Sequence, residues 1–200
     1  MRVMRSLLNV NSLHHDLHTV HPLPRASILH LQGCLRGRTD PCPGCANQDL
    51  WSDEGRWGVD PLDLAALIIR LAAAPALSVS GGEPLDQYEP LCHFLTSLKR
   101  AGFSILMWTG FEMRQVRDGL RAVLDSVDYL ITGPYVEQRK TRGIPFISSS
   151  NQEIHCLTPR ARKAFQNYVY VHEYEVVIRK DGPSAVCLGG ILPHSVLGRP

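Results

Sequence analysis

The sequence GCLRGRTDPCPGCANQDLW occupies residues 33–51 and carries three cysteines, Cys34, Cys42 and Cys45, within one polar segment. It follows directly on an apolar, strand-like run at residues 26–32. A buried strand that ends at such a segment places all three thiols at one edge of a sheet. We therefore expect the fold to be organised around a cysteine-bearing loop at the end of a strand.

Three thiolates leave one coordination position open. A structural zinc site normally has four protein ligands, whereas three ligands leave a position for a substrate or cofactor. Soft thiolates suit both an iron–sulfur cluster and zinc, and Pro41, Pro43 and Gly44 shape the loop so that it can wrap a bulky inorganic group. The spacing alone leaves cluster and zinc equally open, the zinc alternative being a binding module closed by a histidine.

Helices and strands alternate regularly after the cysteine segment. Asp60 and Pro61 are an N-cap and a first helical residue, and they predict a helix over residues 60–74. Further strands are predicted at residues 76–80, 103–109 and 128–132, and further helices at residues 87–101 and 112–126. Strands separated by helices of this length predict parallel pairing with right-handed crossovers.

Glycine-containing motifs follow three of these strands. Residues 81–84 read GGEP, Thr109 precedes Gly110, and Thr132 precedes Gly133. Ligands bind at the carboxyl ends of parallel strands in such folds. We therefore expect one ligand to contact these motifs and the cysteine segment together.

The two ends of the chain do not follow this alternation of strands and helices. Residues 3–10 predict a strand or extended arm, followed by a loop through residues 21–25. The four nearby histidines share no register that gathers three of them with a carboxylate, so we expect no metal site from His14, His15, His18 and His21. Residues 168–179 and 185–192 predict a C-terminal β-hairpin around Asp181-Gly182.

The composition describes an ordinary globular protein. The chain has 200 residues, 44% hydrophobic, with a net charge of +2, and this predicts a single domain over residues 1–200 with no nucleic acid or membrane partner. No apolar run approaches the length of about 18 residues that a membrane span needs, and no export signal is evident. We therefore expect a cytoplasmic protein with reduced thiols.

The remaining cysteines and the arginines of the first loop have simpler interpretations. Cys92 falls on the apolar face of a predicted helix, and Cys156 and Cys187 lie in strand-like runs without a CxxC partner. All three are interpreted as structural. Arg36 and Arg38 are most simply solvated charges, with an acidic protein partner as the alternative.

Taken together, five motifs resemble those of the radical S-adenosylmethionine superfamily, and within it the small activating proteins of anaerobic ribonucleoside-triphosphate reductase and pyruvate formate-lyase. The resemblance covers residues 26–157. The cluster loop of this family is similar to Gly33-Cys34 with Cys42-Pro43-Gly44-Cys45 and Asn47. Its SGGEP and WTGY motifs are similar to residues 80–84 and 108–111. Residues 128–135 resemble a family segment that ends in glycine before a polar or aromatic residue, and residues 148–152 resemble its GSSNQ motif.

The resemblance implies a fold and a set of cofactor contacts. The fold would be an incomplete TIM-like β/α barrel of parallel strands with a C-terminal hairpin extension over residues 158–200. Cys34, Cys42 and Cys45 would hold a [4Fe–4S] cluster, whose fourth iron would bind S-adenosylmethionine. The contacts to S-adenosylmethionine would come from Gly44, Cys45, Ala46, Gly81, Gly82, Glu83, Thr109, Gly110, Thr132 and Gly133.

The resemblance also implies an oxidoreductase activity. The enzyme would cleave S-adenosylmethionine reductively to a 5′-deoxyadenosyl radical and install a glycyl radical on a partner enzyme. Its electron donor would be a flavodoxin or ferredoxin. The alternative with the same cofactors is an enzyme that modifies a small molecule or a peptide.

One departure from the family lies in the cysteine segment. The usual spacing leaves three residues between the first two cysteines, whereas here seven, residues 35–41, intervene. A longer loop costs little closure entropy, about 0.6 kcal/mol for each doubling. We expect this insertion to bulge outward without preventing the three thiols from converging.

Overall fold

The computed structural model describes residues 6–17, 20–54, 57–141 and 144–166. Within these ranges the chain forms a mixed α/β fold. Its strands are β1 (Leu8–Leu17), β2 (Ala26–Leu31), β3 (Trp57–Val59), β4 (Ala76–Gly81), β5 (Ser104–Trp108), β6 (Tyr129–Thr132) and β7 (Glu153–Cys156). Its α-helices are α1 (Leu35–Thr39), α2 (Pro61–Leu71), α3 (Tyr88–Arg100), α4 (Met113–Gly119) and α5 (Pro159–Gln166).

The strands of the described ranges form one sheet in the order β3-β1-β2-β4-β5-β6-β7. The four central strands β2, β4, β5 and β6 run parallel, as predicted. The flanking strands β1, β3 and β7 are antiparallel to their neighbours, which the sequence did not predict. The connection between β1 and β2 is too short for a parallel crossover, so that pair must be antiparallel.

Two predicted elements need correction. The N-terminal strand spans Leu8–Leu17 rather than residues 3–10, because pairing with β2 continues through His14 to Leu17 after two register shifts. The helix predicted over residues 112–126 is broken, since α4 ends at Gly119 and a 3₁₀ segment, Arg121–Asp125, follows. Glycine in a helix interior is unfavourable and terminates helices readily.

The other central elements agree with their sequence predictions to within a few residues. The carboxylate of Asp60 caps α2 by accepting from the backbone N–H groups of Leu62 and Asp63, with Pro61 at the first helical position. The hairpin predicted for residues 168–179 and 185–192 lies outside the described residues. No helix in the described ranges has both the length and the apolar character needed to cross a membrane.

Alternating side chains of the central strands build two separate apolar clusters. Ile105 and Met107 of β5 face the larger cluster, which α2 and α3 cover, whereas Leu106 faces a smaller cluster with Ala161 of α5. Successive side chains of a strand point to opposite faces, so both faces of the sheet are covered at β5 and β6. This double covering fixes the register of the strands and therefore the position of their carboxyl ends.

The buried carboxylate of Asp128 joins three segments of the chain at the amino ends of the parallel strands. Asp128 accepts from the backbone N–H of Ile105 at 3.0 Å and from Thr158 Oγ1 at 2.9 Å, and it pairs with Lys99 Nζ at 2.6 Å. The Asp128 side chain is only 5% exposed, so these bonds are little weakened by water.

We expect Asp128→Ala to lower the free energy of unfolding by about 3 kcal/mol, because it leaves a buried N–H and an ammonium group without their acceptor. The matched control is Asp118→Ala, whose carboxylate is exposed and 4.0 Å from Arg114; a change below about 0.5 kcal/mol is expected there. Urea denaturation measures both. Equal effects of the two substitutions would contradict this account of the Asp128 bonds.

Candidate functional site

The insertion between the first two cysteines contains a short helix, which the sequence did not predict. Helix α1, Leu35–Thr39, begins immediately after Cys34, whose side chain caps it by accepting from Gly37 N. A helical residue advances about 1.5 Å along the axis, against about 3.3 Å for an extended residue. The helix therefore shortens the path from Cys34 to Cys42 and compensates for the additional residues.

Two of the three thiol sulfurs accept a backbone hydrogen bond. Gly37 N donates to Cys34 Sγ at 3.2 Å, and Asn47 N donates to Cys45 Sγ at 3.4 Å. The backbone N–H of Tyr135, from the loop after β6, lowers the pKa of Cys42 against the larger effect of burial. Hydrogen bonds from N–H groups stabilise thiolate sulfur and tune the potentials of iron–sulfur clusters.

The three thiols are free and half-buried. Burial raises the pKa of Cys34, with the negative charges of Glu83 and Asp86 acting in the same direction. Burial also raises the pKa of Cys42, while the charge of Arg36 opposes this shift. Burial therefore favours the protonated forms of Cys34 and Cys42 when no metal is bound, and metal binding to these two thiols must release protons.

No group of three or more His, Cys, Asp or Glu side chains in the described ranges is arranged to hold one metal ion. The thiols are nevertheless close enough that Cys42 affects the ionisation of Cys34, and Cys45 that of Cys42. Ligands of a cluster bind different irons and are spaced more widely than ligands of a single ion. Three free thiols on one loop are the donor set that such a cluster requires.

The cysteine loop is fixed to the end of β4 by backbone contacts. Gly33 O accepts from Glu83 N at 2.9 Å, and Asn47 Nδ2 donates to Gly81 O at 3.0 Å. A Cβ at Gly82 would stand 2.0 Å from Gly33 O, which is an impossible contact. The glycines of the GGEP motif therefore permit the close approach of two protein backbones.

The same loop reaches the end of β6. A Cβ at Gly44 would stand 2.2 Å from Glu137 Oε2 and 3.4 Å from the Tyr135 ring, and the backbone N–H of Tyr135 affects the pKa of Cys42. The cysteine loop thus crosses the carboxyl edge of the parallel sheet from β2 to β6. Gly44 and Ala46, two of the expected cofactor contacts, are exposed at this edge.

Glu83 connects the ends of β4 and β5. Its Oε1 accepts from Leu85 N at 2.9 Å and from Thr109 Oγ1 at 2.7 Å, and its Oε2 accepts from Gly110 N at 2.7 Å. The residue is 6% exposed. Burial raises the pKa of Glu83 to about 7, against the opposing effect of these three hydrogen bonds.

The end of β6 is held by the segment at residues 148–152. Gln152 Nε2 donates to Gly133 O at 3.1 Å, and Asn151 Nδ2 donates to Pro134 O at 2.8 Å. The Thr132 hydroxyl is buried and bonds His155 Nε2 at 2.9 Å. Of the expected contacts, Thr109 and Thr132 thus bond protein groups through their hydroxyls.

Two features of the site were not expected from the sequence. Asp86 Oδ2 accepts from Leu35 N at 2.6 Å and so anchors the start of α1 to the segment after the GGEP motif. Arg36, interpreted above as a solvated charge, is half-buried with its Nε 3.9 Å from the position of a Gly110 Cβ. Neither contact has a local sequence signal, because each joins residues far apart in the chain.

The other expected structural cysteines that lie in the described ranges pack against the core. Cys92 of α3 is half-buried against the larger apolar cluster, and Cys156 of β7 is half-buried against the smaller one. Burial raises the pKa of both thiols. Cys187 lies outside the described residues.

Comparison with known proteins agrees with this geometry. Residues 25–155 match the family of 4Fe-4S single cluster domains. The anaerobic ribonucleoside-triphosphate reductase-activating protein of Haemophilus influenzae is 30% identical over 135 residues, which cover 64% of this chain and 84% of that protein. The proteins of the same description from Vibrio cholerae and Escherichia coli K12 are each 28% identical, over 65% and 64% of this chain and 86% of their own lengths.

These similarities and the cysteine loop define the class of protein, an iron–sulfur protein of the radical S-adenosylmethionine type. The chain belongs to the family of 4Fe-4S single cluster domains. The resemblance that the five motifs indicated is thereby confirmed, as is the prediction of a [4Fe–4S] cluster in place of zinc.

We expect Gly82→Ala to destabilise the protein by about 1–3 kcal/mol, since the new methyl group must separate two bonded backbones. It should also lower the iron bound per chain after anaerobic reconstitution, because the cysteine loop moves. Gly119→Ala is the control: no atom lies within 4 Å of its Cβ position, and a gain of up to about 1 kcal/mol is expected. Unfolding and iron analysis test both; a stable, fully loaded Gly82→Ala protein would contradict the packing argument.

The raised pKa of Glu83 predicts a pH dependence of stability. A carboxyl group with a pKa of about 7 in the folded state and 4.5 when unfolded keeps its proton longer in the folded protein. Its contribution therefore disfavours folding increasingly as the pH rises from about 4.5 to 7, by about 3 kcal/mol in total. Glu83→Gln should remove this slope from the metal-free protein, and replacement of the exposed Glu89 should not. Urea denaturation between pH 5 and 8 measures it; parallel slopes for wild type and Glu83→Gln would refute the assignment.

Proposed function

We propose that this protein is an activating enzyme that installs a glycyl radical on an anaerobic ribonucleotide reductase or a closely similar glycyl radical enzyme. The proposal is supported by the relatives, which are described as activating proteins of that reductase and of which the chain covers 84–86%. It is also supported by the five motifs, all of which fall at or near the carboxyl ends of the parallel strands.

The observation that carries the proposal is the environment of the three thiols. Cys34, Cys42 and Cys45 lie on one loop across the ends of β2, β4 and β6, and the sulfurs of Cys34 and Cys45 each accept one backbone N–H. We assign these cysteines as the ligands of three irons of the [4Fe–4S] cluster. The fourth iron would keep an open coordination position, which suits a cofactor held by the carboxyl edge of the sheet.

The remaining site residues are assigned to S-adenosylmethionine. The carboxylate of Glu83 is placed to accept from the ammonium group of this cofactor, since Oε2 uses only one of its acceptor positions within the described protein. The backbone groups at the strand ends then line the rest of the cofactor. The assigned residues are Gly44, Cys45, Ala46, Gly81, Gly82, Glu83, Thr109, Gly110, Thr132 and Gly133.

With a reduced [4Fe–4S] cluster held by Cys34, Cys42 and Cys45 and S-adenosylmethionine bound at the strand ends, the two groups would supply a one-electron cleavage of the sulfonium that releases methionine and a 5′-deoxyadenosyl radical able to take a hydrogen atom from the partner's glycine. The chain itself orients the cofactor and excludes water. The segment at residues 148–152 serves this purpose at the end of β6, where Asn151 and Gln152 hold the backbone of residues 133–134.

The wider context of the proposal follows from the same class of protein. The central parallel strands are those of an incomplete TIM-like barrel, within a single domain over residues 1–200 whose core spans residues 26–157. A flavodoxin or ferredoxin is the proposed electron donor. Free thiols and an oxygen-sensitive cluster suit the cytoplasm.

Replacement of a cluster ligand is the first test. Cys34→Ala, Cys42→Ala and Cys45→Ala should each reduce iron and sulfide well below the four of each per chain that a [4Fe–4S] cluster contains, with loss of the brown colour. The matched control is Cys92→Ala, since Cys92 is also a free, half-buried cysteine but lies on α3. Full iron content in a Cys42→Ala protein would refute the ligand assignment.

The activity is tested with the reconstituted wild-type protein, S-adenosylmethionine, dithionite and an anaerobic ribonucleotide reductase from the same source. We expect the doublet of a glycyl radical in the electron paramagnetic resonance spectrum, together with 5′-deoxyadenosine. Deoxyadenosine without the doublet would favour the alternative, an enzyme that modifies a small molecule or a peptide. If a protein that holds four irons forms neither product, that result would contradict a radical S-adenosylmethionine activity.

A further inference from the structure

The inserted helix α1 carries a positive charge into the site. Arg36 is half-buried, and its Nε lies 3.9 Å from the position that a Gly110 Cβ would occupy at the end of β5. Its charge also acts on Cys42, whose pKa it lowers against the effect of burial. The Arg36 side chain is therefore near the end of β5, acts on a cysteine of the loop, and is only partly exposed to solvent.

The guanidinium of Arg36 lacks a partner in the part of the chain that the structure describes. No carboxylate there forms an ion pair with it, and no carbonyl accepts from it. Arg38, two residues further on α1, is different: it is exposed and pairs with Asp53. A half-buried guanidinium with five unused donors calls for an anion at the same place.

An opposite charge faces the same space. Glu83 Oε2 lies 3.3 Å from the Gly110 Cβ position, and Arg36 Nε lies 3.9 Å from it. A side chain at position 110 would occupy the point that both groups approach, and glycine has none. The site thus presents a carboxylate oxygen and a guanidinium nitrogen within 4 Å of one point.

We propose that Arg36 binds the α-carboxylate of S-adenosylmethionine, opposite Glu83, which binds its α-ammonium. An α-amino acid carries both charges on one carbon atom, and it therefore fits a site where two opposite charges converge on one point. The guanidinium donates charge-assisted hydrogen bonds to a carboxylate in a planar fork. Arg36 is a positioning residue in this account, and it rests on the proposed use of S-adenosylmethionine.

The position of Arg36 favours a small bound anion over an acidic residue of a partner protein. Its Nε lies near Gly110, its charge acts on Cys42 of the cysteine loop, and the residue is half-buried. A partner's side chain would meet the exposed Arg38 first. The insertion between the first two cysteines therefore supplies a cofactor contact.

The experiment is a cycle of two proteins and two ligands. Wild-type and Arg36→Gln proteins, both reconstituted anaerobically and checked for iron content, are titrated calorimetrically with S-adenosylmethionine and with decarboxylated S-adenosylmethionine. The second ligand keeps the ammonium and the sulfonium but lacks the carboxylate. Arg36→Lys keeps the charge without the fork, and Arg38→Gln is the matched control on the same helix.

We expect Arg36→Gln to lower the affinity for S-adenosylmethionine about tenfold or more and to leave the affinity for the decarboxylated ligand within twofold of wild type. Arg36→Lys should recover part of the affinity, and Arg38→Gln should change neither ligand more than twofold. Equal weakening of both ligands, or no weakening of either, would overturn the role of Arg36. Unchanged cofactor affinity with weaker binding of the reductase would assign Arg36 to the partner instead.

The two proposals fail in distinguishable ways. A wild-type protein that binds no S-adenosylmethionine would contradict the proposed function itself. A wild-type protein that binds it, with an Arg36→Gln variant of equal affinity and equal iron content, would contradict only the inference about Arg36. If Arg36→Gln holds less iron than wild type, the Arg36→Lys variant is used to test the inference. An Arg36→Lys protein with full iron content contradicts the inference if its affinity does not discriminate between S-adenosylmethionine and the decarboxylated ligand.

Discussion

The contact between the backbone at Gly33 and the backbone at Gly82 and Glu83 is the constraint on which the site depends. Glu83 N donates to Gly33 O at 2.9 Å, and there is no room for a Cβ atom at position 82. This contact ties the start of the cysteine loop to the end of β4, so the thiols cannot move independently of the sheet. A loop of such length would otherwise lose its geometry to chain entropy.

Glu83 extends this constraint to the end of β5. Its carboxylate accepts from Leu85 N, Thr109 Oγ1 and Gly110 N, and burial of the group keeps these bonds out of competition with water. The same burial raises its pKa to about 7, so the ionised form has an energetic cost in the free protein. A bound ammonium beside it, with a guanidinium opposite, would lower this cost. The residue that organises the strand ends is therefore also the one that gains most from a zwitterionic ligand.

The insertion between Cys34 and Cys42 shows how a change in spacing can leave a site intact. Five of its residues form α1, which begins at the Cys34 cap and is anchored by Asp86 at Leu35 N. Helix formation shortens the inserted chain, and the hydrogen bonds at Cys34 and Leu35 hold its start. The insertion adds one side chain to the site, that of Arg36. A family spacing can thus vary where local secondary structure absorbs the difference.

The sequence by itself determined the parallel centre of the sheet, the helices that cover it and the three cysteines, because periodic apolar patterns, caps and thiol count are local signals. The class of cofactor followed from the resemblance of its motifs to a known family, since the thiol count alone left cluster and zinc open. The sequence did not determine the antiparallel edges β1, β3 and β7, the helix α1, or the placement of Arg36 beside Gly110. Nor did it indicate that Thr109 and Thr132 bond Glu83 and His155. These features rest on contacts between residues far apart in the chain, and only the folded structure brings such residues within bonding distance.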